Sequence, residues 1–233
     1  MNCRSCGRCR QPAGRLWRVS KGREMGTVVG PVRIALTAVL LTALALTGCS
    51  SSMPSADKCA AVSVQLVDVP TRTDQEPKMR IPLPPGWERT TKMDNESIRF
   101  AIRNPGLTAD GFTPNAVVTL QKVDTDIGKP EKVLAAQNEQ LGKKLKLTDM
   151  KSSPSQVCGA PALSSSYTAP EVKLGQKIPS IPPRIASSVS SVFKGRDANY
   201  IAMLTVQTIK PDNQTYVADS ATILKGFQLL PQG

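Results

Sequence analysis

The chain has 233 residues, with 30 Lys and Arg against 18 Asp and Glu, no His, and a formal net charge of +12. Without His, no Ser–His–Asp triad, Cys–His pair or zinc site of the usual His type can be built. Residues 1–48 carry eight of the basic residues and one Glu. Residues 49–233 therefore keep 22 basic against 17 acidic residues, a mildly basic surface of mixed sign and not the concentrated basic face of a nucleic-acid binder.

In chain order, residues 1–24 hold seven basic residues and Cys3, Cys6 and Cys9. The C-x2-C-x2-C run has no His to close a four-ligand site. Met25 is the better start, with MGTVVGPVR as the segment before an apolar run. That run, Ile34 to Leu46, has 13 uncharged residues. It is too short to span a bilayer as a helix, which needs about 20. It fits the apolar region of a secretory signal, about 7–15 residues long. Arg33 precedes it, and Leu46-Thr47-Gly48-Cys49 follows as a lipobox. Small residues before the cysteine suit the signal peptidase, and the thiol takes the lipid. The reading is a signal peptide over 1–48, acylation of Cys49, a polar tether over 49–58 and a single domain over 59–233. This places the chain at the cell membrane, lipid-anchored on the extracytoplasmic face. With Cys49 acylated, Cys59 and Cys158 remain in an oxidising compartment, where a disulfide is expected. Two buried free thiols are the alternative.

Ala61–Val69 alternates apolar and polar and reads as a first strand. Met79–Trp87 reads as a short extended piece running into a Pro-Pro-Gly turn. Ser97–Arg103 and Asn115–Val123 read as strands with one face buried. After Gly128-Lys129-Pro130 a helix is expected through Leu145, with Val133, Leu134, Ala136, Leu141 and Leu145 on its apolar side. Leu147–Ser155 and Ala162–Thr168 read as strands joined by residues 156–161. Pro170–Pro183 is a loop of 14 residues with four prolines. Ile185–Phe193 and Tyr200–Thr208 read as a hairpin. A second helix over Pro211–Leu224 has Val217, Ala218, Ala221, Ile223 and Leu224 as its apolar side, and Phe227–Leu230 ends the chain. This order predicts an α+β sandwich, a largely antiparallel sheet flanked by helices.

Few groups carry chemistry. Ser191-Val192-Phe193-Lys194 matches S-x-x-K, but that nucleophile motif belongs at a helix start and here ends a predicted strand, with no S-D-N or K-T-G elsewhere. Asp124-Thr125-Asp126 lacks the further ligands of a calcium loop and reads as a solvated turn. Trp87 could serve as an aromatic ligand platform, with core packing the plainer reading. No catalytic residue, metal ligand or cofactor site is assigned, no ligand-binding residue can be named, and no enzyme activity is expected.

Three segments carry a resemblance: Ile81-Pro82-Leu83-Pro84-Pro85-Gly86-Trp87, Arg103-Asn104-Pro105 and Gly111-Phe112-Thr113-Pro114-Asn115-Ala116-Val117-Val118. With the lipobox, they resemble the LpqN/LpqT family of mycobacterial lipoproteins over about residues 59–230. The resemblance implies a Mog1/PsbP-like fold and no enzymatic activity. It implies a role in envelope glycolipid traffic, with trehalose-type ligands or contact with a host protein. The partners it implies are the membrane, an envelope lipid or glycolipid, a lipid-transport protein or a host protein. The Pro-rich stretch Pro170–Pro183 departs from the shorter hairpin expected of the family.

Overall fold

The computed structural model describes residues 54–123, 128–173, 180–195 and 197–231. Cys49 and the Asp124–Asp126 segment lie outside the described residues.

A seven-stranded sheet forms from β3 (Glu88–Arg89), β4 (Ile98–Arg103), β5 (Asn115–Val123), β6 (Thr148–Val157), β7 (Ala160–Ala169), β8 (Arg184–Lys194) and β9 (Asn199–Thr208). Its order is β3-β4-β5-β9-β8-β7-β6, and every neighbouring pair is antiparallel. A smaller antiparallel sheet has β2 (Lys78–Leu83) between β1 (Gln65–Val69) and β10 (Gln228–Leu230). With helices α1 (Pro130–Leu145) and α2 (Gln214–Lys225), this is the expected α+β class.

Residues opposite one another in an antiparallel pair share a face, and alternate residues take opposite faces. One face of the large sheet carries Phe100, Ile102, Val118, Leu120, Leu204 and Val206, all buried. Against it pack Tyr216 and Ile223 of α2, Met79 and Ile81 of β2, and Leu229 of β10. Asn213 caps α2, its side-chain oxygen accepting a hydrogen bond from the Tyr216 amide at 3.0 Å. On the other face, Leu134 of α1 packs on Val192 and Ile201.

Both helices are narrower in their contacts than their patterns predict. In α1 only Leu134 is buried, and Leu145 is 48% exposed beside the left-handed Lys146 that ends the helix. In α2 the helix begins at Gln214, because Asn213 and not Pro211 supplies the cap. Val217 is 46% exposed, while Tyr216 and Ile223 are buried. Each helix packs on a sheet through a single buried stripe, with Val133 and Leu224 at its margin and Leu145 and Val217 facing water.

The strands depart from expectation at their ends. β1 starts at Gln65, not Ala61. β6 and β7 run on until only Cys158 and Gly159 separate them, where a connection over residues 156–161 was expected. Cys158 and Gly159 have φ of 49° and 82°, matching the left-handed pair that a two-residue hairpin turn requires. The short β3 was not expected, and Phe227–Leu230 joins the small sheet.

Candidate functional site

The face that buries α2 and the small sheet over β4, β5 and β9 is open over β6, β7 and β8. There the register sets Lys151 opposite Ser166, Ser153 opposite Ser164, and Ser155 opposite Ala162. Ser164 and Ser166 in turn face Val189 and Ser187 across β7 and β8. These residues floor a groove of about 530 Å³, walled by Ala60 on one side and by Leu224 and Lys225 at the end of α2. Ser164 Oγ donates to Ser155 Oγ at 2.9 Å. Ser153, Ser166 and Ser187 make no side-chain hydrogen bond among the described residues, so their hydroxyls are available in the groove. Its charged lining residues are Lys151 and Lys225, both exposed, with no carboxylate.

The opposite face is polar too, but satisfied. Asn138 of α1 donates to Ser152 Oγ at 2.8 Å, and its oxygen accepts from Ser165 Oγ at 3.3 Å. Arg184 Nε donates to Gln207 Oε1 at 2.7 Å, and Gln207 Nε2 donates to Asn115 Oδ1 at 2.8 Å. Burial pushes the Tyr167 phenol above its ordinary pKa, against hydrogen bonds from Thr205 and Ser188 that act the other way.

Cys59 and Cys158 are joined by a disulfide across 99 positions. Ser55 N donates to Cys158 O at 3.0 Å, and Ala56–Lys58 forms a turn of 3-10 helix. Residues 55–58, expected in the tether, are therefore held against the β6–β7 turn. Ser191 is fully buried and donates to Pro161 O at 2.9 Å. Lys194 points to the opposite face of β8, so the S-x-x-K pair does not meet. Trp87 is a core residue, 5% exposed, with Nε1 donating to Asp219 Oδ2 at 2.8 Å. The described ends of the Pro-rich stretch are clasped by reciprocal backbone bonds between Val172 and Ile181, both 2.9 Å.

The groove was missed because serines give no apolar alternation to read. A signal was present in the recurrence of Ser at 153, 155, 164, 166 and 187. It acquires meaning only once the register of three strands is known.

The motifs behind the resemblance are turns and core. Pro84 O accepts from Trp87 N at 3.1 Å across Gly86. Gly86 has φ 81°, as the third position of a type II turn demands. A Cβ there would stand 3.2 Å from Asn104 Nδ2. Gly111, at φ 76°, turns the chain into the buried Phe112.

No curated protein matches the chain. Among solved structures, it is similar to the crystal structure of LpqN of Mycobacterium tuberculosis, described as involved in cell envelope biogenesis. That match has a TM-score of 0.54 and 18% identity over 73% of this chain and 93% of the other. The Ran-binding protein Mog1p of Saccharomyces cerevisiae matches with a TM-score of 0.44 and 11% identity, over 72% of this chain and 97% of that one. The family described as probable lipoprotein LpqN matches residues 52–230, nearly the whole chain beyond the lipobox, and the chain belongs to that family.

Proposed function

We propose that this lipoprotein is acylated at Cys49, stands on the extracytoplasmic face of the cell membrane, and binds an envelope lipid or glycolipid without catalysis. The groove over β6–β8 carries this reading. A serine hydroxyl both donates and accepts a hydrogen bond, so a floor of them suits a hydroxyl-rich headgroup. The groove's size falls within the usual ligand-site range of about 300–1,000 Å³. Its lining holds no carboxylate, His or Cys to act as acid, base or nucleophile. The structural likeness to LpqN, itself tied to cell envelope biogenesis, supports an envelope role. A second reading, contact with a transport or host protein, rests on Val172 and Ile185. These are 38% and 37% exposed, Val172 within the Pro-rich stretch and Ile185 just after it.

Two results test the proposal. The mature protein from a mycobacterial host should carry a co-purified lipid in native mass spectrometry. Ser166→Trp, which fills the groove, should lose that lipid without lowering the melting temperature. Wild-type protein that arrives empty, or a variant that keeps the lipid, would count against the groove. Separately, Cys49→Ala should end incorporation of a fatty-acid analogue and leave the protein outside the membrane fraction. Equal labelling of variant and wild type would remove the anchor at that residue.

A further inference from the structure

We propose that the groove takes an anionic, hydroxyl-rich lipid headgroup directly from the bilayer that holds the anchor. This rests on the anchored, ligand-binding reading above and names the ligand class and its source.

Four residues lie between Cys49 and Pro54, and a chain extends at most about 3.3–3.6 Å per residue, so the five steps span at most about 18 Å. Pro54 is buried, and Ser55 is bonded to Cys158 O at 3.0 Å. The disulfide then ties Cys59 to the same turn. The β6–β7 corner therefore cannot move far from the membrane. The groove begins at that corner. Ala60 follows Cys59, Gln156 lies two residues before Cys158, and both line it.

A neutral sugar needs no cation, yet Lys151 and Lys225 line the groove without an acidic residue. Neither is in an ion pair among the described residues. Lys58 adds a third exposed cation at the corner, its stem packed over Gly159. The acidic neighbour there is Asp57, whose carboxylate accepts a hydrogen bond from Ser55 Oγ. That hydrogen bond, its own backbone amide and Lys58 hold it below the usual carboxylate range.

A phosphate pairs with lysine at a wet rim, and Ser153, Ser166 and Ser187 present free hydroxyls to a polyol beside it. A bare phosphate would leave most of the 530 Å³ empty.

The test uses the mature chain with Cys49→Ser, so that the anchor does not mask binding. It is added to phosphatidylcholine vesicles with and without phosphatidylinositol, and separately to soluble inositol phosphate and to the uncharged glycolipid dodecyl maltoside. Phosphatidylinositol vesicles should bind at least tenfold more tightly than phosphatidylcholine alone. Lys151→Glu with Lys225→Glu should reduce that binding by about tenfold or more, since a basic residue near an anionic surface contributes about 1 kcal/mol. Lys78→Glu, a charge reversal on β2 outside the groove, should change it much less. Added salt should weaken it, because the rim is exposed.

Equal binding to both vesicles would overturn the proposal. So would soluble inositol phosphate binding as tightly as the vesicles, which would remove the bilayer as source. If dodecyl maltoside binds in the groove and the lysine reversals change nothing, the anionic ligand class falls while the general binding reading stands. If no probe binds, both fall.

Discussion

Replacing Cys59 and Cys158 together by alanine should lower the stability of the mature chain by about 2–5 kcal/mol in urea unfolding. The bond spans 99 positions, and in the chain-entropy treatment a loop near 100 residues gives about 4.7 kcal/mol. Both ends argue for the upper half of the range. Cys158 is buried at a turn where a non-glycine residue already holds a left-handed backbone. Cys59 packs at the margin of the main core. The loss should not be uniform. Without the bond, residues 55–60 keep the backbone contact from Ser55 to the turn, the Lys58 stem over Gly159 and the short helical turn itself. Hydrogen exchange should therefore accelerate there and at the β6–β7 turn before the central strands respond. A destabilisation below about 1 kcal/mol, or exchange that rises evenly across β5, β8 and β9, would show that the bond is not what fixes the corner. Because Ala60 walls the groove, the same variant should bind vesicles more weakly at temperatures where the sheet is intact.

That corner also shows where the sequence could be read and where it could not. Strands β4, β5, β8 and β9 were visible because each sends alternate apolar residues into the main core, although their central residues are buried on both faces. Phe100 and Ile102, or Leu204 and Val206, therefore recur with period two. The β6–β7 hairpin was visible only in part. Gln156 and Pro161 look like loop residues, yet they pair across the turn; Pro161 is tolerated because it stands at the start of β7, before the register with β8 begins at Ala162. The end of α2 and the fate of Phe227–Leu230 depend on a partner strand far away in sequence, at Lys78–Arg80. No local pattern encodes that pairing. The groove was hidden for a related reason. Its chemistry lies in small polar residues on three strands, and their grouping follows from register. The family motifs were legible because they are local: a type II turn at Gly86 and a left-handed glycine before Phe112.

Glu76→Ala should cost about 3–5 kcal/mol, the range for breaking a buried ion pair by removing one partner. Glu76 and Arg99 have side chains only 5% and 9% exposed, with Arg99 Nη2 on Glu76 Oε1 at 2.6 Å. The other carboxylate oxygen accepts the Arg72 amide at 2.8 Å. Arg72 in turn donates from its guanidinium to Asn95 O at 2.6 Å and Glu96 O at 3.3 Å. The group thus ties the connection before β2 to the start of β4, where the register with β5 shifts between Ile98 and Phe100. Deleting the carboxylate leaves a buried guanidinium with no counter-charge. That cation is already poorly served, since Arg99 Nε and Nη1 have no hydrogen-bond partner among the described residues. Arg99→Met should cost less than Glu76→Ala, because the remaining carboxylate keeps its backbone donor. The double variant Glu76→Leu with Arg99→Met decides between two accounts. If the pair is held mainly by mutual compensation of buried charge, apolar replacements of similar volume should recover most of the loss. The cycle should then show a coupling of about 1–3 kcal/mol. If the two losses simply add, each residue acts through its own contacts, and the link between the β2 connection and β4 rests on Arg72 and its two carbonyl partners instead.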